Sequence, residues 1–283
     1  MSKLVIVAPE FNAYGGAHVL HAKDLGLAAE SFPDRKVAEL GCKKVIDPEH
    51  LKPFGKLRAR AWAVAEKRGI RLLDGYGQNP DLAKEVVAEI QAICREAQSH
   101  ADFIGNNWLS LVDEWAKANP KWSTLVRESA PSAQWIRSRF HFAVRAYPMD
   151  LGTLQEMGIE ENDLISEMGG LGDRLISDLS HAAKGMWEEF ISREKILERQ
   201  ISPLKTMAEK AKALGFLDKR AVTVGQDIQA LLDTLPAKGP YEAQLPEILK
   251  TLRKVMKLTL PEEEASPLPA APVMDLSTPI WAA

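Results

Sequence analysis

Ten apolar side chains between Leu82 and Trp115 constrain this chain more than any other feature. Leu82, Val86, Ile90, Ile93, Ala97, Ala101, Ile104, Trp108, Leu111 and Trp115 follow one another at separations of three or four. That is the period of an α-helix with one buried stripe. The pattern opens at Asn79-Pro80-Asp81, where an Asn cap and a first-turn proline suit a helix start, and it closes near Asn119-Pro120. At 1.5 Å per residue such a helix is about 50 Å long, so its stripe needs a cover of similar length. Gly105-Asn106-Asn107 is its weakest point, because these are poor helix formers.

A second seam offers that cover. From Asp173, Leu175, Leu179, Ala182, Met186, Phe190, Arg193, Leu197, Ile201, Leu204, Ala208, Ala211 and Leu214 repeat the spacing. Arg193 interrupts it with a charge, and Pro203 is expected to kink or divide the helix. The reading is an α+β fold, predominantly α. Two long antiparallel, coiled-coil-like helices carry a small β-sheet at one end and a C-terminal helical pair near residues 221–235 and 245–258. Pairing of the long helices between subunits is the alternative to pairing within one chain.

The sheet is assembled from short pieces. Leu4-Val5-Ile6-Val7 ends at Pro9, Lys43 to Ile46 precedes Asp47-Pro48, and Ile70 to Leu73 is broken by Gly75, Gly77 and Pro80. Between the second and third, Phe54, Leu57, Ala61, Trp62 and Ala65 predict a helix that Gly69 stops. Residues Ile136 to Ala146 alternate strictly: Phe140, Phe142, Val144 and Ala146 against Arg139, His141, Ala143 and Arg145. This predicts a strand with one buried and one wet face. The domain plan is 1–150 as a mixed region holding the first long helix, 151–260 as a helical region holding the second, and 261–283 as a disordered, acidic then Pro/Ala-rich tail.

The 283 residues carry a formal net charge of -3 and are 46% hydrophobic, enough apolar content for a core. The near-neutral balance excludes a globally basic nucleic-acid coat. No apolar run reaches the roughly 20 residues of a membrane span, and the N-terminus does not read as a secretory signal. A cytoplasmic protein with no membrane association is expected. Cys42 and Cys94 are the only cysteines, too few for a disulfide framework or a Cys-based zinc site. His18 and His21, three apart, could share a helix face, but no metal-binding spacing occurs among the six histidines. Glu167 to Asp173 is glycine-rich without a phosphate-loop pattern, and reads as a hinge. The tryptophans, Trp108 and Trp115 among them, read as packing. No convergent catalytic set emerges; no enzyme activity, cofactor or metal is expected.

Charge is segregated despite the balanced total. From Asp34 to Arg71 there are eleven Lys and Arg against five Asp and Glu, while Asp150 to Asp173 holds seven acids and no base. Lys43, Lys44, Arg137, Arg139 and Arg145 form the candidate contact set for an anion or nucleic acid. In the tail, Met274, Leu276, Ile280 and Trp281 are apolar anchors able to dock on another protein.

Several stretches resemble a family. These are Leu40-Gly41-Cys42-Lys43-Lys44-Val45-Ile46-Asp47-Pro48 through Phe54, Arg68 to Tyr76, Ser138 to Phe142, Ile201-Ser202-Pro203-Leu204 and Gly215-Phe216-Leu217-Asp218. Over most of residues 3 to 260, in collinear order, the chain is similar to a bacterial domain-of-unknown-function family found on integrative conjugative elements, plasmids and phages. The resemblance implies a gene neighbourhood that includes a MoxR-type AAA+ ATPase and a von Willebrand A-type protein. It implies no catalytic residues. The expected function is therefore a non-enzymatic scaffold or adaptor of a mobile-element system. It would act through protein–protein contacts, with an AAA+ ATPase or in a homo-oligomer. The alternative is a nucleic-acid-associated protein using the basic strand face.

Overall fold

A computed structural model describes residues 3–26, 40–150, 169–193 and 195–259. Its elements in chain order are β1 (Lys3–Asn12), β2 (Ala17–Val19), β3 (Cys42–Lys44), α1 (Lys52–Lys67), β4 (Ile70–Leu72), β5 (Gly75–Gln78), α2 (Pro80–Ala118), α3 (Ser123–Ser129), α4 (Ala133–Arg137) and β6 (His141–Asp150). The helices α5 (Leu171–Ile191), α6 (Glu198–Leu214), α7 (Lys219–Thr234) and α8 (Leu245–Met256) complete them. The fold is α+β and mostly helical. Strands β4, β5, β1 and β6 form one antiparallel sheet in that order, and β2 and β3 form a separate two-stranded ladder.

Helix α2 runs unbroken for 39 residues. Its stripe is buried as the spacing predicts, from Val86 and Ile90 through Ile104 to Trp108 and Leu111. The helix continues through Gly105 without a break. A Cβ there would come within 2.8 Å of the Arg137 side chain, so the glycine admits a close approach by α4.

The sheet lies between two cores rather than at one end of the helices. Directly paired residues of antiparallel strands share a face, so Val7 pairs with Ala146 and Phe11 with Phe142 on one side. That side joins the α1 and α2 stripes, with Phe54, Leu57 and Ala61 from α1. The opposite side, Leu4, Ile6, Ile70 and Leu72 with Tyr147 and Met149, packs on α5 to α8. Strand β1 continues through Pro9 to Asn12. Its pairing with β5 stops at Val7, and beyond that point one edge is open, which is where a strand tolerates a residue without an N–H.

The second seam is corrected. It divides at Ser192–Leu197 into α5 and α6, not at Pro203, which lies inside α6. The break falls at the charged Arg193, which pairs with Glu189 at 2.8 Å. Beside it Ile196 is fully buried and its carbonyl accepts the Tyr241 N–H at 3.0 Å, whereas Leu197, the residue at the seam's spacing, is 41% exposed. The two seams consequently belong to different cores. The α2 stripe is covered by α1, the sheet, α3 and α4; α5 and α6 pack with α7 and α8. The C-terminal helical pair is present as expected.

Asn79 ties the two cores together. Its Oδ1 accepts the Asp81 N–H at 3.0 Å as the α2 cap, while its Nδ2 donates to the Ala213 carbonyl at 3.1 Å. Replacing Asn79 by alanine is expected to cost about 1–2 kcal/mol, measured as a lower urea midpoint with an unchanged slope.

Candidate protein-binding groove

The sheet end reached by the C-terminus of α2 carries an unusual surface. The β2–β3 ladder sets His18 opposite Lys43 and Val19 opposite Cys42. The ladder is pinned by the Leu20 N–H to Gly41 carbonyl bond at 3.1 Å and by the Trp115 Nε1–H, which donates to the Lys44 carbonyl at 3.1 Å. Between this ladder and α2–α3 lies an apolar slot of about 330 Å³, lined by Leu20, Leu25, Val45, Trp115, Leu125 and Val126. It opens into a polar cleft of about 730 Å³ bordered by His18, His21, Lys23, Lys121 and Glu128, with Lys43, Trp122 and Leu125 common to both. Trp122 is 43% exposed and its ring carries the Lys121 ammonium 5.3 Å from its centroid.

An aromatic column supports the cleft from below. Buried Trp108 donates its Nε1–H to the Pro131 carbonyl at 2.7 Å and meets Tyr14 edge-on at 5.8 Å. Tyr14 in turn contacts Trp135, which is covered by the Arg139 guanidinium at 4.3 Å. The Tyr14 hydroxyl lies 2.6 Å from His18 Nε2. Burial pushes the Tyr14 hydroxyl up to about 12, so it remains the donor, and His18 accepts as the neutral ring. Burial first, and Lys43 second, hold His18 below its ordinary value.

This geometry fixes the sign of a pH effect. The unfolded chain takes up the His18 proton near 6.5, whereas the folded chain resists it, because burial disfavours the charged ring and Lys43 repels it. The unfolded state binds more protons below that pH, so stability is lost as pH falls through about 6.5 and beneath it. His18→Gln retains an acceptor without titrating. We expect the melting midpoint to fall more between pH 7.5 and 5 in the native chain than in that variant, by calorimetry.

The five basic candidates are not gathered on one strand face. Lys43 is bound to Asp24 at 2.7 Å with both side chains largely buried, and this bond holds the Asp24 carboxyl below its usual range. Lys44 is exposed. Residues 133–137 are helical, so the alternating strand begins only at His141. Arg137 therefore sits on α4 and reaches Asn106 Oδ1 at 3.0 Å, and Arg139 occupies the turn over Trp135. Arg145 alone is on the strand, paired with Glu10 at 3.4 Å and Asp74 at 3.1 Å. The tail residues Met274, Leu276, Ile280 and Trp281 lie outside the described residues.

Two further expectations change. His18 is on a strand and His21 precedes a short turn, so they do not share a helix face. Among the described residues no group of three or more His, Cys, Asp or Glu is placed to hold a metal. Trp115 is a slot wall as well as packing. Cys94 is buried, and burial pushes its thiol up. The slot itself was missed because its walls come from segments far apart in sequence. The adjacent exposed pair Lys121-Trp122 was its local trace.

A family model described as Protein of unknown function (DUF3150) matches residues 1–257. The chain belongs to the DUF3150 family. The match takes in both cores and every residue lining the groove. No curated protein and no solved structure matches the chain. Among the described residues no helix is long and apolar enough to cross a membrane.

Proposed function

We propose that this DUF3150 member is a non-enzymatic adaptor or scaffold that works through protein–protein contacts at the groove beside β2–β3. The observation that carries this reading is the continuity of an apolar slot with a cleft rimmed by Lys23, Lys121 and His21. A peptide with a bulky apolar side chain near a carboxylate satisfies both parts, and such anchors seated in pockets are what hold protein interfaces together. The mobile-element setting and an AAA+ ATPase as one partner rest on the family resemblance, and the cytoplasmic location on the sequence reading.

The nucleic-acid reading has less support. A surface that neutralises phosphates needs several unpaired cations along one face, and Lys43 and Arg145 already hold carboxylates.

The test is a photo-cross-linking side chain in place of Trp122, with Lys184 on the far helix α5 as control. Cross-linked protein is expected from position 122 and not from 184. Equal yields from the two, or none from 122, would remove the groove as the contact site.

A further inference from the structure

The slot and the tail fit each other chemically. Residues 258–283 contain no Lys or Arg and four acids, Glu262, Glu263, Glu264 and Asp275. Asp275 stands between Met274 and Leu276, an acid flanked by apolar anchors, and Ile280-Trp281 follows. The slot offers Leu20, Val45, Trp115 and Leu125 as apolar walls. On its polar shelf Lys43 is already paired with Asp24, and exposed Lys23 and Lys121 outnumber the one exposed acid, Glu128. Resting on the adaptor reading above, we propose that the groove binds the segment Glu262–Trp281 of a second copy of this chain.

Distance selects the second copy over the chain's own tail. The tail leaves from the helical core, where Leu258 packs and Ser180 donates to the Met256 carbonyl at 3.1 Å. That core meets the N-terminal end of α2 at Asn79, whereas the slot lies at the other end, at Trp115 and beyond. The helix between Asn79 and Trp115 spans about 50 Å. Met274 is fifteen residues beyond Thr259. A chain of fifteen to twenty-two residues, from Thr259 to Met274 and to Trp281, has a typical end-to-end distance of about 20–28 Å, and about 50 Å is near full extension for the first and about two-thirds of it for the second. A linker that must be drawn well past its typical length to join its two sites contributes little effective concentration. A neighbouring molecule has no such restriction. Because tail and groove are different surfaces, the contact is head-to-tail and propagates unless a ring closes.

The experiment is sedimentation velocity of the full chain from about 1 to 100 μM, in low and high salt. Mass is expected to rise with concentration and less so at high salt. Trp122→Ala in the groove and Leu276→Asp in the tail should each weaken association at least tenfold. Lys121→Glu, an exposed charge reversal, serves as the second groove variant should Trp122→Ala melt early. Mixing Trp122→Ala with Leu276→Asp leaves one intact groove and one intact tail per pair, so the mixture should stop at 1:1 dimers. A chain that remains monomeric throughout overturns the inference, as does association that survives either the groove or the tail variants. If position 122 still cross-links a foreign protein in a monomeric chain, the adaptor reading stands without this one.

Discussion

Trp108→Ala will lower the free energy of unfolding by about 3–5 kcal/mol. The indole is 1% exposed, and its removal leaves a cavity in the core that also holds Ile104, Ile136 and Phe140. It also deprives the Pro131 carbonyl of its donor and Tyr14 of its edge-on partner. Typical domains are stable by only 5–15 kcal/mol, so the loss is a large share of the total. Trp108→Phe separates the causes: it keeps most of the volume and costs only the hydrogen bond, about 1–3 kcal/mol. Circular dichroism in urea is the measurement, since tryptophan emission changes with the substitution itself. A consequence for the groove follows. Tyr14 positions His18, and His18 faces Lys43 on the ladder, so the alanine variant should weaken groove contacts even below its melting temperature.

What was readable from the residues depended on whether the signal was local. The α2 stripe, the β1 and β4 cores and the C-terminal helices are periodic patterns over consecutive residues, and burial follows them closely. Periodicity says which face is buried, not what buries it. The two long seams have matching spacing, yet α2 turns its stripe to the sheet while α5 and α6 turn theirs to α7 and α8. Leu197 keeps the apolar rhythm through the break although its side chain is exposed, so only the charge at Arg193 marked it. The alternation from Ile136 was likewise satisfied by a helix followed by a strand. Ser132, whose Oγ accepts the Trp135 N–H at 3.2 Å, was the cap that starts that helix. The groove is the least local feature: Tyr14 and His18 meet Trp135, and Lys44 meets Trp115. No window of sequence holds both halves.

Gly69→Ala is the sharpest test of how the layers fit. The sequence reads this glycine as a helix stop, and the helix does end just before it, at Lys67 with Arg68 as its cap, but Gly69 is not in the left-handed region that favours glycine there. Gly69 is required for space instead. A Cβ there would stand 2.5 Å from the Ala65 carbonyl oxygen, 2.9 Å from Tyr76 Cβ and closer still to Gln78 Nε2. Gln78 is fully buried, and its Nε2 donates to that same Ala65 carbonyl at 2.6 Å. The added methyl therefore forces apart the α1 end and β5, an overpacking cost of about 1–3 kcal/mol. It also breaks the hydrogen bond from Gln78 Nε2 to the Ala65 carbonyl, orphaning a buried donor and acceptor for about 1–3 kcal/mol more. We expect a total of roughly 2–6 kcal/mol, seen as a lower denaturation midpoint. Gly185→Ala is the control: it is exposed within α5 with nothing within 4 Å of the new methyl. That change should stabilise by about 0.5–1 kcal/mol through helix propensity alone. Equal effects at the two sites would mean that the approach of α1 to β5 is looser than these distances describe.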